Sequence, residues 1–385
     1  MEHLIHSRVK NIEISGIRKF FNMVADRPDL ISLTIGQPDF PTPEHVKEAG
    51  KEAIAANFTT YTHNAGFLDL REAACRFVAE KYGLSYEPDE VIATVGASQA
   101  LDITFRTILE AGTEVILPGP VYPGYEPLIQ LCGAKPVYVD TRANGFRLSA
   151  ELIAPYLNER TRCIVLPYPS NPTGVTLSEQ ALREIAELVK GRPIWIVSDE
   201  IYSELVYDGR HHSIAKWLHD QTIVINGLSK SHSMTGWRIG FAFAPSFVMK
   251  HMIKVHQYSV SCTSSVSQKA ALAALTAGKN DAVAMRNQYK QRMEYTYDRL
   301  VRMGLQVEKP DGAFYLFPSI APFGLSSFDF ALDVVHKAGV ALVPGSAFSK
   351  YGEGYVRLSY AYSFDVLKEA LNRLERYIKE KQWAR

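Results

Sequence analysis

A lysine that follows a strand-like run is the residue of this sequence with the clearest chemical potential. Lys230 lies in the segment Asn226–Arg238, among small residues and shortly after the apolar run Thr222–Ile225. A primary amine in that position can reach into a cleft, attack a carbonyl group and later carry a proton. A lone lysine is nearly always a solvated surface group, so this interpretation depends on the polar segments that accompany it.

A turn suited to an anion lies much earlier in the chain. The segment Gly96-Ala97-Ser98-Gln99 follows the predicted strand Val91–Val95 and precedes a helical pattern. The free backbone N–H groups and the dipole at a helix N-terminus favour a bound anion such as a phosphate. The alternative is an ordinary strand-to-helix turn in which Ser98 caps the helix.

Two further polar segments follow strand-like runs. Asn171 lies between two prolines, which hold its backbone extended or in a turn and thereby aim its amide; the alternative is a common Asn-Pro turn. Asp199 ends the run Ile194–Ser198, and Tyr202 follows three residues later. A carboxylate there is costly unless a cation pairs with it, and a protonated pyridine nitrogen would be such a cation. The alternative is a strand-end acid that caps the next element.

The elements that must position these segments alternate along the chain. Helical patterns, such as Leu101, Phe105 and Ile108, separate several strand-like runs. This alternation predicts an α/β protein with a mostly parallel central sheet flanked by helices. Ligands collect at the carboxyl ends of the strands in such sheets, so we expect the four segments to meet there. The predicted strands are Ile31–Ile35, Val91–Val95, Glu114–Leu117, Pro136–Val139, Cys163–Leu166, Ile194–Ser198, Thr222–Ile225 and Ile239–Ala242.

A second, smaller domain is predicted in the C-terminal part of the chain. The long polar helical stretch Asp281–Met303 contains the expected boundary, and a final helix over Phe364–Lys381 has one apolar face. We expect an N-terminal segment, residues 1–42, that joins the small domain. Residues 43–285 would form the large ligand-binding domain, and residues 286–385 the small C-terminal α+β domain.

Composition argues against several classes of function. The 385 residues carry a net charge of +1, which favours neither nucleic acid nor an anionic membrane surface. The four cysteines are scattered and the 11 histidines form no HExxH pattern, so we expect no metal site and no disulfide framework. No GxGxxG opens a βαβ unit, which leaves a nicotinamide dehydrogenase unsupported. Without an N-terminal apolar region or a run of ~18 apolar residues, a cytoplasmic protein is expected.

Three motifs together resemble the class I/II aminotransferases that depend on pyridoxal 5′-phosphate (PLP). They are Ser-Asn-Pro-Thr-Gly at 170–174, Ser-Asp-Glu-Ile-Tyr at 198–202 and Ser-Lys-Ser-His-Ser-Met-Thr-Gly-Trp-Arg-Ile-Gly at 229–240. Within the family, residues 118–125 and 226–240 are most similar to bacterial N-acetyl-LL-diaminopimelate aminotransferases. The resemblance spans essentially the whole chain. It implies the fold type I PLP-transferase architecture and a homodimer with active sites shared between subunits.

The resemblance also implies a role for each cofactor-binding residue. Lys230 would hold PLP covalently and then act as a base, while Asp199 would pair with the pyridine nitrogen. Asn171 and Tyr202 would donate to the 3′-oxygen of the ring, and Tyr122 would stack on its face. The catalytic residues would be Lys230, Asp199 and Tyr202. The phosphate would be bound by Ala97, Ser98, Gln99, Ser229, Arg238 and, from the neighbouring subunit, Tyr61.

The substrate residues follow from the same resemblance. Arg357 would grip the α-carboxylate, Gly36 would add a backbone contact, and Asn171 would touch the same carboxylate. One departure concerns specificity: some bacterial aspartate aminotransferases carry a lysine beside the phosphate turn that binds the distal carboxylate, and here the matching position is Ser98. A strict aspartate enzyme is therefore disfavoured, and no residue is identified that contacts the substrate side chain.

The expected activity is amino-group transfer by a ping-pong mechanism. The resemblance points to N-acetyl-LL-2,6-diaminopimelate with 2-oxoglutarate or glutamate, in lysine biosynthesis. The alternatives are an aromatic, aspartate or alanine aminotransferase of broad specificity, and a PLP C–S β-lyase, which shares the motifs but needs no keto acid acceptor. An aminotransferase-like sensor domain of a transcription regulator is disfavoured, because the stretch before residue 43 is too short for a winged helix.

Overall fold

The computed structural model describes residues 1–24, 27 and 29–383. Residues 25, 26 and 28 of the predicted N-terminal segment, and residues 384 and 385 of the predicted small domain, lie outside the described residues.

A seven-stranded sheet forms the centre of the fold. Its strand order is β2-β8-β7-β6-β5-β3-β4, and β8 runs in the opposite direction to the other six strands. The prediction of a mostly parallel central sheet is therefore confirmed. The strands are β2 (Val91–Thr94), β3 (Glu114–Gly119), β4 (Lys135–Asp140), β5 (Thr161–Leu166), β6 (Trp195–Asp199), β7 (Thr222–Gly227) and β8 (Gly240–Phe243).

Alternation along each central strand supplies the two faces of this sheet. Val115 and Leu117 of β3 pack in one apolar cluster, whereas Ile116 between them packs in another. Successive side chains of a strand point to opposite faces, so a strand covered on both sides needs a continuous apolar run. That requirement explains why the central strands were recognisable from the sequence.

Helices cover both faces of the central sheet. The apolar face predicted for the last helix is buried. Its residues Leu367, Leu371, Leu374 and Ile378 are at most 2 % exposed. None of the described helices is both long and apolar enough to cross a membrane. The helices are α1 (Ser7–Asn11), α2 (Gly16–Val24), α3 (Glu44–Ala55), α4 (Leu68–Tyr82), α5 (Gly96–Ile108), α6 (Tyr125–Leu131), α7 (Ala150–Ile153), α8 (Glu179–Val189), α9 (Ser246–Val260), α10 (Ser265–Leu275), α11 (Ala282–Arg302), α12 (Ser327–Ala338) and α13 (Phe364–Trp383).

Short strands link the two ends of the chain. β1 (Ile31–Ser32) pairs in parallel with β10 (Val340–Ala341). A separate three-stranded antiparallel sheet has the order β11-β12-β9, with β9 at Tyr315–Leu316, β11 at Val343–Pro344 and β12 at Val356–Ser359. The N-terminal segment thus contacts the C-terminal part through the pairing of β1 with β10. The division into an N-terminal segment, a large domain and a small domain, with boundaries at 42 and 285, stays a prediction.

The predicted first strand is longer than the observed one. The run Ile31–Ile35 was expected to be a strand, but ladder pairing ends at Ser32. The backbone of Leu33 continues to pair with neighbouring segments, because its N–H donates to Ala341 and its carbonyl accepts from Ser359. Beyond Thr34 the chain turns into a loop that carries Gly36 toward the carboxyl edge of the sheet.

Candidate active site

A cavity of about 680 Å³ opens at the carboxyl edge of the central sheet. Six of the seven strands end at this edge, and the antiparallel β8 begins there. The central cavity, as we call it, gathers side chains from loops far apart in sequence. Eleven of the predicted site residues line it: Gly36, Ala97, Ser98, Tyr122, Asn171, Asp199, Tyr202, Ser229, Lys230, Arg238 and Arg357.

One corner of the central cavity is built for an anion. Gly96 begins α5 with φ +71°, and a side chain there would lie 2.6 Å from Nη2 of Arg238. The glycine thereby leaves room for a guanidinium beside the N–H groups at the helix N-terminus. Arg238 itself adopts φ +54° and donates from Nη1 to the Thr235 carbonyl at 2.7 Å. A helix N-terminus and an arginine together provide a cradle for a phosphate.

The interpretation of Ser98 as a helix cap is wrong. The helix begins at Gly96, so Ser98 lies inside its first turn and makes no capping hydrogen bond there. Gln99 instead accepts a hydrogen bond from the Val95 N–H at 2.7 Å through Oε1. The side chain of Gln99 thus binds the backbone of the strand-to-helix turn, and it does not line the central cavity.

A buried carboxyl lines the central cavity. Asp199, the last residue of β6, is 6 % exposed and pairs with no cation among the described residues. Its Oδ2 accepts a hydrogen bond from the Tyr125 hydroxyl at 2.6 Å, and its Oδ1 accepts one from the Ile201 N–H at 3.3 Å. Burial raises the pKa of Asp199 to about 6, although the Tyr125 hydrogen bond opposes that rise. Through the contact with Ile201, Asp199 also caps the element that follows the strand, which is the alternative role given above. Its carboxyl lines the cavity at the same time.

A buried arginine in the lining of the central cavity can bind a carboxylate. Arg357 on β12 is 1 % exposed and donates from Nη1 to Oδ1 of Asn171 at 2.9 Å and from Nη2 to the Thr34 carbonyl at 2.5 Å. Its Nε is buried and has no hydrogen-bond partner within the part of the chain that the structure describes. Burial lowers the pKa of the guanidinium. A buried cation with an unused donor is stabilised by an anionic ligand.

Lys230 lines the same cavity as Asp199 and Arg357. Its Nζ donates to the Gly36 carbonyl at 2.5 Å. Burial, and then the nearby cations Arg357 and Arg238, lower the pKa of Lys230 to about 8. A solvated surface lysine, the alternative interpretation, therefore does not describe this residue, because it lines the cavity and its charged form is disfavoured.

The charges of the central cavity match a ligand that carries both an anionic group and a ring with a protonated nitrogen. Its described lining holds three cations, Lys230, Arg238 and Arg357, and one carboxyl, Asp199. The surplus of positive charge suits a phosphate together with a substrate carboxylate, while the unpaired Asp199 suits a protonated nitrogen. The residues present therefore fit PLP.

Tyr61 is, besides Gln99, a predicted site residue that does not line the central cavity. It is 86 % exposed. Two tyrosines that sequence reasoning missed do line it, namely Tyr125 and Tyr315. Tyr125 stands in the segment 118–125 that carried the closer resemblance, but its contact with Asp199 has no local sequence signal. Nothing distinguishes Tyr315 in a chain with 20 tyrosines.

Comparison with known proteins agrees with this geometry. Residues 28–374 match the family model described as aminotransferase class I and II. The chain belongs to the class I and II aminotransferases. This aminotransferase is 63% identical over 385 residues, covering 100% of its own chain and 98% of the relative, to the "Probable N-acetyl-LL-diaminopimelate aminotransferase" of Bacillus subtilis (strain 168).

Other relatives of this aminotransferase have different printed specificities. It is 41% identical over 385 residues to aromatic-amino-acid aminotransferase 2 of Thermococcus litoralis, covering 98% of this chain and 99% of the relative. Its structure matches aspartate aminotransferase from Thermus thermophilus with maleate at a TM-score of 0.92 and 36% identity, covering 97% of this chain and 99% of that chain. The family is PLP-dependent, so the cofactor of this enzyme is PLP, and the fold type I architecture is confirmed.

The lowered pKa of Lys230 predicts when its amine can react. Only the neutral amine attacks an aldehyde, so the rate at which apoprotein captures added PLP should rise with pH and reach half its plateau near pH 8. With an ordinary lysine pKa of about 10.5, less than about 1 % of the amine would be neutral at that pH. Stopped-flow absorbance across pH 6 to 11 measures the rate.

The variant Arg357→Met provides the matched comparison. It removes one of the cations that lower the Lys230 pKa, so the midpoint should move to higher pH. A capture rate that keeps rising past pH 10 in the unaltered protein would contradict the assignment.

Proposed function

We propose that this aminotransferase acts in the cytoplasm on N-acetyl-LL-2,6-diaminopimelate, with 2-oxoglutarate and glutamate as the second pair, in lysine biosynthesis. The observation that carries the substrate is the 63% identity, over the full chain, to the Bacillus subtilis relative of that printed specificity. The central cavity supports it, because three residues of the N-terminal segment also line the cavity and would contact a long substrate side chain: Ser15, Ile17 and Phe21.

The chain's own residues would orient the substrate before any bond changes. Arg357, held by Asn171 and the Thr34 carbonyl, would bind the α-carboxylate with its remaining donor capacity. Because both terminal nitrogens of the guanidinium are held by hydrogen bonds, a bound carboxylate would have few possible orientations. The substrate Cα would then be held near Lys230. The Gly36 carbonyl, which accepts a hydrogen bond from Lys230, would lie close to the substrate in this arrangement.

Proton transfer would then fall to Lys230. When bound, PLP supplies an electron sink that stabilises negative charge at the substrate Cα. Lys230, with its pKa lowered to about 8, can be neutral and accept the Cα proton near neutral pH. Asp199 would keep the ring nitrogen protonated, while Tyr202 and Asn171 would donate to the ring 3′-oxygen and Tyr122 would cover the ring face. Backbone groups of Ala97 and Ser98 would bind the phosphate together with the side chains of Ser229 and Arg238.

A broad aromatic, aspartate or alanine aminotransferase is the second candidate. The Thermococcus and Thermus relatives favour it, since their printed names state aromatic and aspartate specificities. Ser98, at the position where some aspartate enzymes carry a lysine, argues against strict aspartate specificity. The C–S lyase alternative is disfavoured, because the relatives compared above are named aminotransferases.

A series of half-reactions tests the proposed substrate. The yellow PLP form should be bleached to the pyridoxamine form most rapidly by N-acetyl-LL-diaminopimelate and glutamate, with aspartate, alanine and phenylalanine at least about tenfold slower in kcat/KM. Stopped-flow spectra measure each rate, and Lys230→Ala serves as the inactive control. Faster reaction with phenylalanine or aspartate would favour the second candidate, and pyruvate formation from cysteine conjugates would favour the lyase.

We also propose a homodimer in which Tyr61 of each subunit contacts the phosphate in the other subunit's cavity. The support is the position of Tyr61, which is exposed and separate from the cavity of its own chain. An exposed aromatic side chain at a surface that a second copy covers is typical of subunit interfaces.

A hybrid dimer tests the shared site. Lys230→Ala and Tyr61→Ala chains, co-expressed with different tags and purified through both, should contain one doubly damaged site and one intact site. About half of the wild-type activity per dimer is expected. If Tyr61 served its own subunit, the hybrid would reach only about half of the low activity of the Tyr61→Ala parent, and a monomeric active enzyme would also contradict the proposal.

A further inference from the structure

Tyr315 contacts two parts of the central cavity that are assigned different tasks. It lies on β9, is fully buried, and lines the cavity. Its hydroxyl is 2.7 Å from the hydroxyl of Tyr202. The guanidinium of Arg357 lies over its ring, 4.5 Å from the centroid. One side chain thus links the phenol proposed for the cofactor's ring oxygen with the arginine proposed for the substrate carboxylate.

The surroundings hold the Tyr315 hydroxyl in place. A side chain at Gly36 would lie 2.5 Å from this hydroxyl oxygen, so the loop backbone packs directly against it. The rings of Tyr202 and Tyr315 meet edge to face at an interplanar angle of 81°. Among the described side chains, Tyr202 is the hydrogen-bond partner found for the Tyr315 hydroxyl. A phenol confined in this way has little freedom to turn its proton elsewhere.

The number of protons fixes the direction of the hydrogen bond. Burial raises the pKa of both phenols, so each keeps its single proton at neutral pH. Either hydroxyl can donate to the other in the protein alone. If Tyr202 donates its proton to the ring oxygen of PLP, its own oxygen can only accept, and the remaining proton of the pair is that of Tyr315.

We propose that Tyr315 is a positioning residue whose hydroxyl donates to Tyr202 and thereby directs the Tyr202 proton to the ring oxygen of PLP. The inference rests on the proposed role of Tyr202. Hydrogen bonds in a chain strengthen one another, so Tyr315 makes Tyr202 a better donor to the anionic ring oxygen. A better donor at that oxygen lowers the pH at which the visible absorption of the lysine-bound cofactor titrates.

The variant Tyr315→Phe tests this inference in the holoenzyme. It keeps the ring beneath Arg357 and removes only the hydroxyl. The midpoint of the absorbance titration should rise by roughly 0.3 to 1 pH unit. The turnover number kcat should fall several-fold while KM for the amino acid changes less, because the carboxylate-binding arginine keeps its aromatic neighbour. A midpoint equal to that of the wild type overturns the proposal.

Tyr360→Phe is the matched control. Tyr360 and Tyr207 form a second buried tyrosine pair, 2.9 Å between hydroxyl oxygens, in the same apolar cluster but outside the cavity lining. Its titration should match the wild type. An equal shift in Tyr360→Phe would show that loss of any buried phenol loosens the site, which also overturns the specific role of Tyr315.

Two further measurements keep the test decisive. In a Tyr202→Phe background, Tyr315→Phe should shift the midpoint no further, and an additive shift contradicts relay through Tyr202. If Tyr315→Phe does not fold, replacing Tyr315 by 3-fluorotyrosine retains the hydroxyl as a stronger donor and should lower the midpoint; an unchanged or raised midpoint refutes the inference. The titration needs no substrate. Its result therefore does not depend on which amino acid reacts fastest in the half-reaction series.

Discussion

Burial of opposite charges at one edge of the central sheet is the constraint on which the site depends. Asp199 ends β6 inside the protein, where the described residues give its carboxyl two hydrogen-bond donors, the Tyr125 hydroxyl and one backbone N–H. In the lining of the same cavity, Lys230 and Arg357 are cations whose charged forms burial disfavours. Each group is poorly satisfied by the chain alone. A ligand that brings both a protonated nitrogen and negative charges relieves all of them together.

The topology explains how these groups reach one place. Asp199 and Lys230 follow adjacent parallel strands, so their loops emerge at the same edge. The reversed strand β8 begins at that edge, where Gly240 packs so closely that a side chain would lie 2.6 Å from the Ala97 nitrogen. Arg238 just before it therefore lies beside the start of α5. A single antiparallel strand thus assembles the phosphate corner from segments about 140 residues apart.

Much of this arrangement could be predicted from the chain. Continuous apolar runs identify the central strands, and the segments after them contain Lys230, Asp199 and Asn171. The direction of β8 could not be predicted, because a short apolar run has the same pattern in either orientation. Gln99 was expected near the phosphate, yet its amide bonds to the Val95 backbone, a choice that depends on local geometry. The contacts of Tyr315 arise from tertiary packing between distant segments and leave no trace in sequence spacing.

The most direct test of the central claim is to find the lysine that holds the cofactor. Borohydride reduction of the yellow holoenzyme, followed by proteolysis and mass spectrometry, fixes PLP to the side chain that bound it. We predict that the added mass is found on the peptide containing Lys230, with one label per chain, and that it is lost in Lys230→Ala. A stoichiometric label on any other lysine, or none in a holoenzyme that retains full activity, would contradict the account.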